Sequence, residues 1–147
     1  MRAVYTLVAI AIFFTGVGLY FFTGTAGDGG ITVRDAYARA SNDRAGAVFM
    51  VIENGGPADR LIEARSDAAM KVEIHTHSEV NGVMQMRQVE GGLAVPAGGQ
   101  AVLKRGGDHV MFMGLSAAWE QGGSVPLTLV FERAGEVLLD VTVDLER

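Results

Sequence analysis

The sequence predicts an all-β fold, an antiparallel sandwich or barrel, for residues 31–147. Three observations carry this. From residue 31 onward, β-branched residues and alternating apolar residues recur in short runs, the period of a half-buried strand. Turn residues separate the runs, and the chain holds 20 Gly against 3 Pro. About half of all residues are apolar, enough to fill one core.

The strands are expected at 31–39, 47–53, 60–64, 71–77, 83–89, 100–104, 109–115, 125–133 and 136–145. Between them lie Asn54-Gly55-Gly56, Asn81-Gly82, Gly91-Gly92, Pro96-Ala97-Gly98-Gly99, Gly106-Gly107, Gln121-Gly122-Gly123 and Ala134-Gly135. Asn81-Gly82 reads as a hairpin tip, since both residues tolerate positive φ. Ala134-Gly135 reads as a second hairpin. Ser41-Asn42-Asp43 reads as a loop, and Trp119, the single Trp, as a packing residue in one.

Residues 1–30 have a different character. Residues 3–22 form an uncharged apolar run, with Arg2 before it and Asp28 as the first charge after it. The run has about the 20 residues of a membrane-spanning helix. It is expected to be an N-terminal hydrophobic helix, either an uncleaved anchor or a signal peptide cleaved near Gly24-Thr25-Ala26. Residues 23–30 read as a linker. Either way Arg2 stays inside and the β-domain, 31–147, lies outside the membrane.

Composition excludes several functions. The net charge of −5 and the lack of a Lys/Arg cluster argue against nucleic-acid binding. The absence of Cys excludes a disulfide scaffold, a thiol nucleophile, a blue-copper centre and an iron–sulfur cluster. No nucleophile elbow, P-loop or dinucleotide fingerprint occurs.

The residues with coordination chemistry cluster. All three His (His75, His77, His109) fall in the middle of the β-domain, with Met70, Met84, Met86, Met111 and Met113. Strand parity puts His75 and His77 on one face, opposite Val72 and Ile74. It puts His109, Met111 and Met113 on one face, opposite Val110 and Phe112. Met84 and Met86 share a face of the strand after the Asn81-Gly82 turn. Imidazole with thioether, without thiolate or carboxylate, is a neutral, soft-to-borderline donor set that favours Cu(I). A Met on a strand is also an ordinary core residue, so spacing and parity leave a metal site and plain packing both open.

The same residues resemble the PCu(A)C family of periplasmic copper chaperones. The family pattern is a His, ten residues, a Met, about twenty-one residues, then His-x-Met. Here ten residues separate His75 from Met86, and twenty-two separate Met86 from His109-Val110-Met111. The second interval is one residue longer than the pattern, and its glycine turns can absorb the difference. Ile52-Glu53-Asn54-Gly55-Gly56, Val72-Glu73-Ile74-His75, Asn81-Gly82-Val83-Met84, Val95-Pro96-Ala97-Gly98-Gly99 and Met113-Gly114-Leu115 also resemble the family.

The resemblance implies a cupredoxin-like β-sandwich with an exposed Cu(I) site and no catalysis. It implies His75, Met86, His109 and Met111 as ligands. It implies delivery of copper in the periplasm to the copper subunit of cytochrome c oxidase, alongside a Sco-type thiol protein. His77 lies outside the four-ligand pattern and is expected as an additional metal donor that helps to hold Cu(II). The rival reading is enzymatic: His75, His77 and His109 as a His₃ zinc site of a lyase or hydrolase. That reading leaves Met86 and Met111 without a purpose.

Overall fold

The computed structural model describes residues 30–147. The expected hydrophobic helix over 3–22 and its boundary with the β-domain lie outside the described residues. Among the described residues no helix is long and apolar enough to cross a membrane.

The described residues form ten strands: β1 (Ile31–Ala40), β2 (Ala45–Asn54), β3 (Asp59–Arg65), β4 (Ala69–Val80), β5 (Val83–Gln88), β6 (Leu93–Val95), β7 (Gln100–Leu103), β8 (His109–Leu115), β9 (Ser124–Phe131) and β10 (Gly135–Thr142). They make two sheets. One runs β1-β2-β8-β4-β5, with β7 also pairing to β2, and the other runs β10-β9-β3-β6. All pairings between named strands are antiparallel.

Nine of the strands fall where the apolar runs predict them. The tenth, β6, has only three residues between the Gly91-Gly92 and Pro96 turns. Three residues are too few to show a period. The last strand ends at Thr142 rather than at 145. Beyond it Val143 makes an isolated parallel bridge to Ala38 and backbone hydrogen bonds to Gly122 and Gly123.

Alternation fixes which residues fill the space between the sheets. Val48, Met50 and Ile52 of β2, Ile74 of β4, and Val110 and Phe112 of β8 are buried from one side. Leu61 of β3, Leu127, Leu129 and Phe131 of β9, and Val137 and Val141 of β10 meet them from the other. Trp119 packs edge-on against Phe112, with ring centroids 5.2 Å apart. Its ring also fills the space where a Cβ on residue 46 would sit, so this position requires Gly.

Besides His109, two polar residues are buried among the described residues, and both are hydrogen-bonded. Asn54 donates to the carbonyls of Pro57 and Val95, and its Oδ1 accepts from the Gly56 amide. Asp59 accepts from the amides of Arg60, Arg133 and Ala134 at 2.8–3.0 Å. Asp59 therefore pins the β9–β10 turn to the start of β3. Burial opposes its charge, but these three amides prevail and hold the carboxyl below its ordinary range.

Candidate metal centre

The three strands that carry His and Met are neighbours, in the order β8-β4-β5. The β4–β5 hairpin closes at Asn81-Gly82, where φ is 52° and 79°. These are the two positive values of the tight turn that suits a twisted hairpin. The register of β4 with β5 and with β8 has no bulge, so parity holds along all three strands. Ile74, Val110 and Phe112 face the core. The intervening residues project from the opposite face of the sheet.

On that face His75 is directly opposite His109, and Glu73 is directly opposite Met111. On the other side of β4, His77 is directly opposite Met86, and His75 is opposite Gln88. His75 is therefore central. It faces His109 and lies diagonally from both Met111 and Met86, positions about 7–8 Å apart that a long side chain can bridge. The extra residue between Met86 and His109 does not disturb this register.

The imidazole rings have gathered. The ring centroids of His75 and His109 are 5.8 Å apart, and those of His77 and His109 are 5.3 Å apart. Phe49 of β2 closes the far side, its ring 6.1 Å from His109, with Tyr37 of β1 packed beyond it, tilted by 38° at 5.2 Å. Exposure falls steeply across the cluster: Met86 is 49% exposed and His109 only 3%.

Acceptors fix the imidazole tautomers. Nε2 of His75 lies 2.8 Å from Oε2 of Glu73, whose other oxygen takes the Lys71 ammonium at 2.8 Å. Nδ1 of His109 lies 3.0 Å from the Gly107 carbonyl. An ionised carboxylate and a carbonyl can only accept, so each of these nitrogens carries the ring proton. The other nitrogen of each ring then offers a lone pair when the ring is uncharged. In His75 that nitrogen is Nδ1, which is buried and has no hydrogen-bond partner. Nδ1 of His77 is likewise buried without a partner. Unpaired buried polar atoms are rare and call for an explanation such as an ion.

The charges favour neutral donors. Burial pushes the His109 pKa down, and the nearby His77 and His75 rings add to that, against the opposing bond to Gly107. Lys71 first, and His75 second, hold the Glu73 carboxyl below its ordinary range. The ring orientation of His75 is thus set by a carboxylate that is itself ionised and anchored, an outer partner of the type that tunes metal-bound imidazoles.

Glu73 and the Gly107 carbonyl were not anticipated from sequence. Glu73 shares the parity of His75, and that was the available signal. A charged residue two places before a His otherwise reads as an ordinary solvated position. Met113 lies opposite Lys71 and Met84 opposite Glu79, each one step further from the His cluster. Met70 has the other parity and is fully exposed beside Gly114. Among the described residues, no three His, Cys, Asp or Glu side chains are arranged to hold a metal ion by themselves.

The LpqE-like lipoprotein family model matches residues 31–143. The chain belongs to the LpqE-like group of the PCu(A)C family. Its fold is the cupredoxin-like sandwich of that family. The protein Lxx21020 of Leifsonia xyli subsp. xyli, named as a lipoprotein, is 30% identical over 131 residues, spanning 86% of this chain and 79% of that one. The copper-bound PCuAC domain from PmoF2 is 25% identical, with a TM-score of 0.64 over 80% of this chain and 94% of that domain. Apo-DR1885 from Deinococcus radiodurans is 27% identical, with a TM-score of 0.63 over 97% of this chain and 96% of that one. Its Cu(I) form is 28% identical, with a TM-score of 0.61 over 78% and 79% of the two chains.

Proposed function

We propose that this PCu(A)C domain is a copper(I) carrier that works outside the cytoplasm and performs no catalysis. Copper is its cargo, held by His75, His109, Met86 and Met111. One observation carries the reading. His75 and His109 face each other across β4 and β8, each with one nitrogen tied to an acceptor and the other free to bind. Met111 and Met86 flank this pair on the same face of the sheet.

The donor set fits Cu(I) by softness, and it binds without deprotonation. Neutral thioethers hold copper less tightly than thiolates, which suits a protein that must give it up. The half-exposed Met86 marks the side from which an acceptor can reach the ion. The acceptor is the copper subunit of a respiratory cytochrome c oxidase, with a Sco-type thiol protein working beside it. The apolar run at 3–22 supports export across a membrane, and the resemblance to periplasmic copper chaperones supports the periplasm as the compartment. The lipoprotein names of Lxx21020 and of the matching family add attachment to a membrane.

The test is a Cu(I) titration against a chromophoric chelator. One Cu(I) per chain is expected, with affinity falling at least ~100-fold in the Met86→Ala/Met111→Ala double variant. Neither Met belongs to the buried core, so the variant keeps its fold. Unchanged affinity in the double variant would remove the carrier reading as drawn.

A further inference from the structure

His77 lies outside the four-donor pattern, yet the fold places it inside the cluster. It is directly opposite Met86 on β5, and its ring is 5.3 Å from that of His109. Its Nδ1 is buried and unpartnered, like that of His75. No acceptor bonded to Nδ1 satisfies that nitrogen, and no carboxylate is paired with this ring as Glu73 is with His75.

The separations have a chemical meaning. A metal–nitrogen bond is about 2.0–2.1 Å. Two imidazoles sharing a tetrahedral ion therefore have centroids about 5 Å apart. His109 stands close to this separation from both His75 and His77, at 5.8 Å and 5.3 Å. It is the common partner of two overlapping pairs. The three rings are not yet aimed at one point. Bringing His77 in takes a rotation of that side chain, and its neighbour Met86 sits on an exposed edge strand that can move aside.

We infer that His77 is the donor that lets this site hold Cu(II) as well as Cu(I). Three imidazoles form a borderline nitrogen set that suits the divalent ion, whereas the thioethers favour the monovalent one. In the Cu(II) state His77 replaces Met86, and copper is retained by His75, His77 and His109. In the Cu(I) state His77 stands off, and Met86 and Met111 bind. The inference rests on the same site as the proposed carrier function, but the two can fail separately.

The experiment uses the full chain loaded separately with Cu(I) and with Cu(II). His77→Phe keeps a ring against His109 and removes the donor, and His77→Ala serves as the second variant. Pulsed electron paramagnetic resonance of the Cu(II) form counts coordinated imidazoles. Chelator competition gives both affinities. Three imidazoles are expected in the wild type and two in either variant. Cu(II) affinity should fall at least ~10-fold, with Cu(I) affinity changed less than ~3-fold. An unchanged Cu(II) spectrum and affinity would overturn the inference. So would an equal loss of both ions, which would make His77 an ordinary ligand of each. A wild type that binds Cu(II) through three imidazoles but no Cu(I) would overturn the carrier reading and leave the Cu(II) role of His77 standing.

Discussion

The two halves of the candidate site are built differently. The inner half, on β4 and β8, is buried and braced. His109 is tied to Gly107 and walled by Phe49, and His75 is tied to Glu73, which Lys71 anchors in turn. The outer half, on β5, is an edge strand whose six residues are all exposed, Met86 among them. The inner half holds its donors in place before any ion arrives. In the proposed carrier, the exposed outer half is where the donor Met86 would release the ion. A carrier needs both, because firm donors alone would not release copper and loose donors alone would not keep it.

The largest expected effect lies in the inner half. His109→Ala removes the most buried donor, and Cu(I) affinity should fall more than ~100-fold in chelator competition. A loss smaller than that from Met86→Ala alone would reverse the proposed roles of the two halves.

Next comes a change far from the site, which separates fold from function. Asp59→Ala strips the acceptor from three amides and should lower unfolding free energy by about 2–3 kcal/mol. The Cu(I) affinity of the folded fraction should stay unchanged. The same carboxyl gives the fold a pH dependence. Its folded pKa is depressed, so its stabilisation is complete above the unfolded value of about 3.9 and is lost as pH falls through the folded value. Denaturant melts of wild type and Asp59→Ala should therefore converge toward low pH. A gap that persists in strong acid would contradict this account of Asp59.

A smaller effect is expected at the brace. Glu73→Gln keeps the shape but loses the charge that orients His75, and it should cost about 10-fold in Cu(I) affinity. A Glu73→Gln variant as tight as wild type would show that the ring needs no such support. The smallest effect is at Met84, one step further out on β5. Met84→Leu should change affinity less than ~2-fold. A larger loss would extend the site along the edge strand.

Most of the fold was legible because the strands are regular. Parity placed Ile74, Val110 and Phe112 in the core and the His residues on the other face, and it held because β4 and β8 pair without a bulge. The short β6 was not legible, since three residues carry no period. The adjacency of β8 to β4 was not legible either. The chain passes through β5, β6 and β7 before β8 returns to β4, and only the packed core fixes that return. The roles of Glu73 and the Gly107 carbonyl depend on ring orientation, which spacing does not encode. His77 was visible as a donor, but its place opposite Met86 needed the hairpin register.

The most direct test of the central claim is X-ray absorption spectroscopy of the Cu(I)-loaded chain. The braced inner half and the exposed outer half together predict two sulfur and two imidazole scatterers around copper, with one sulfur lost in Met86→Ala and both in the double variant. A first coordination sphere of nitrogen alone, unchanged by removing both Met residues, would contradict it.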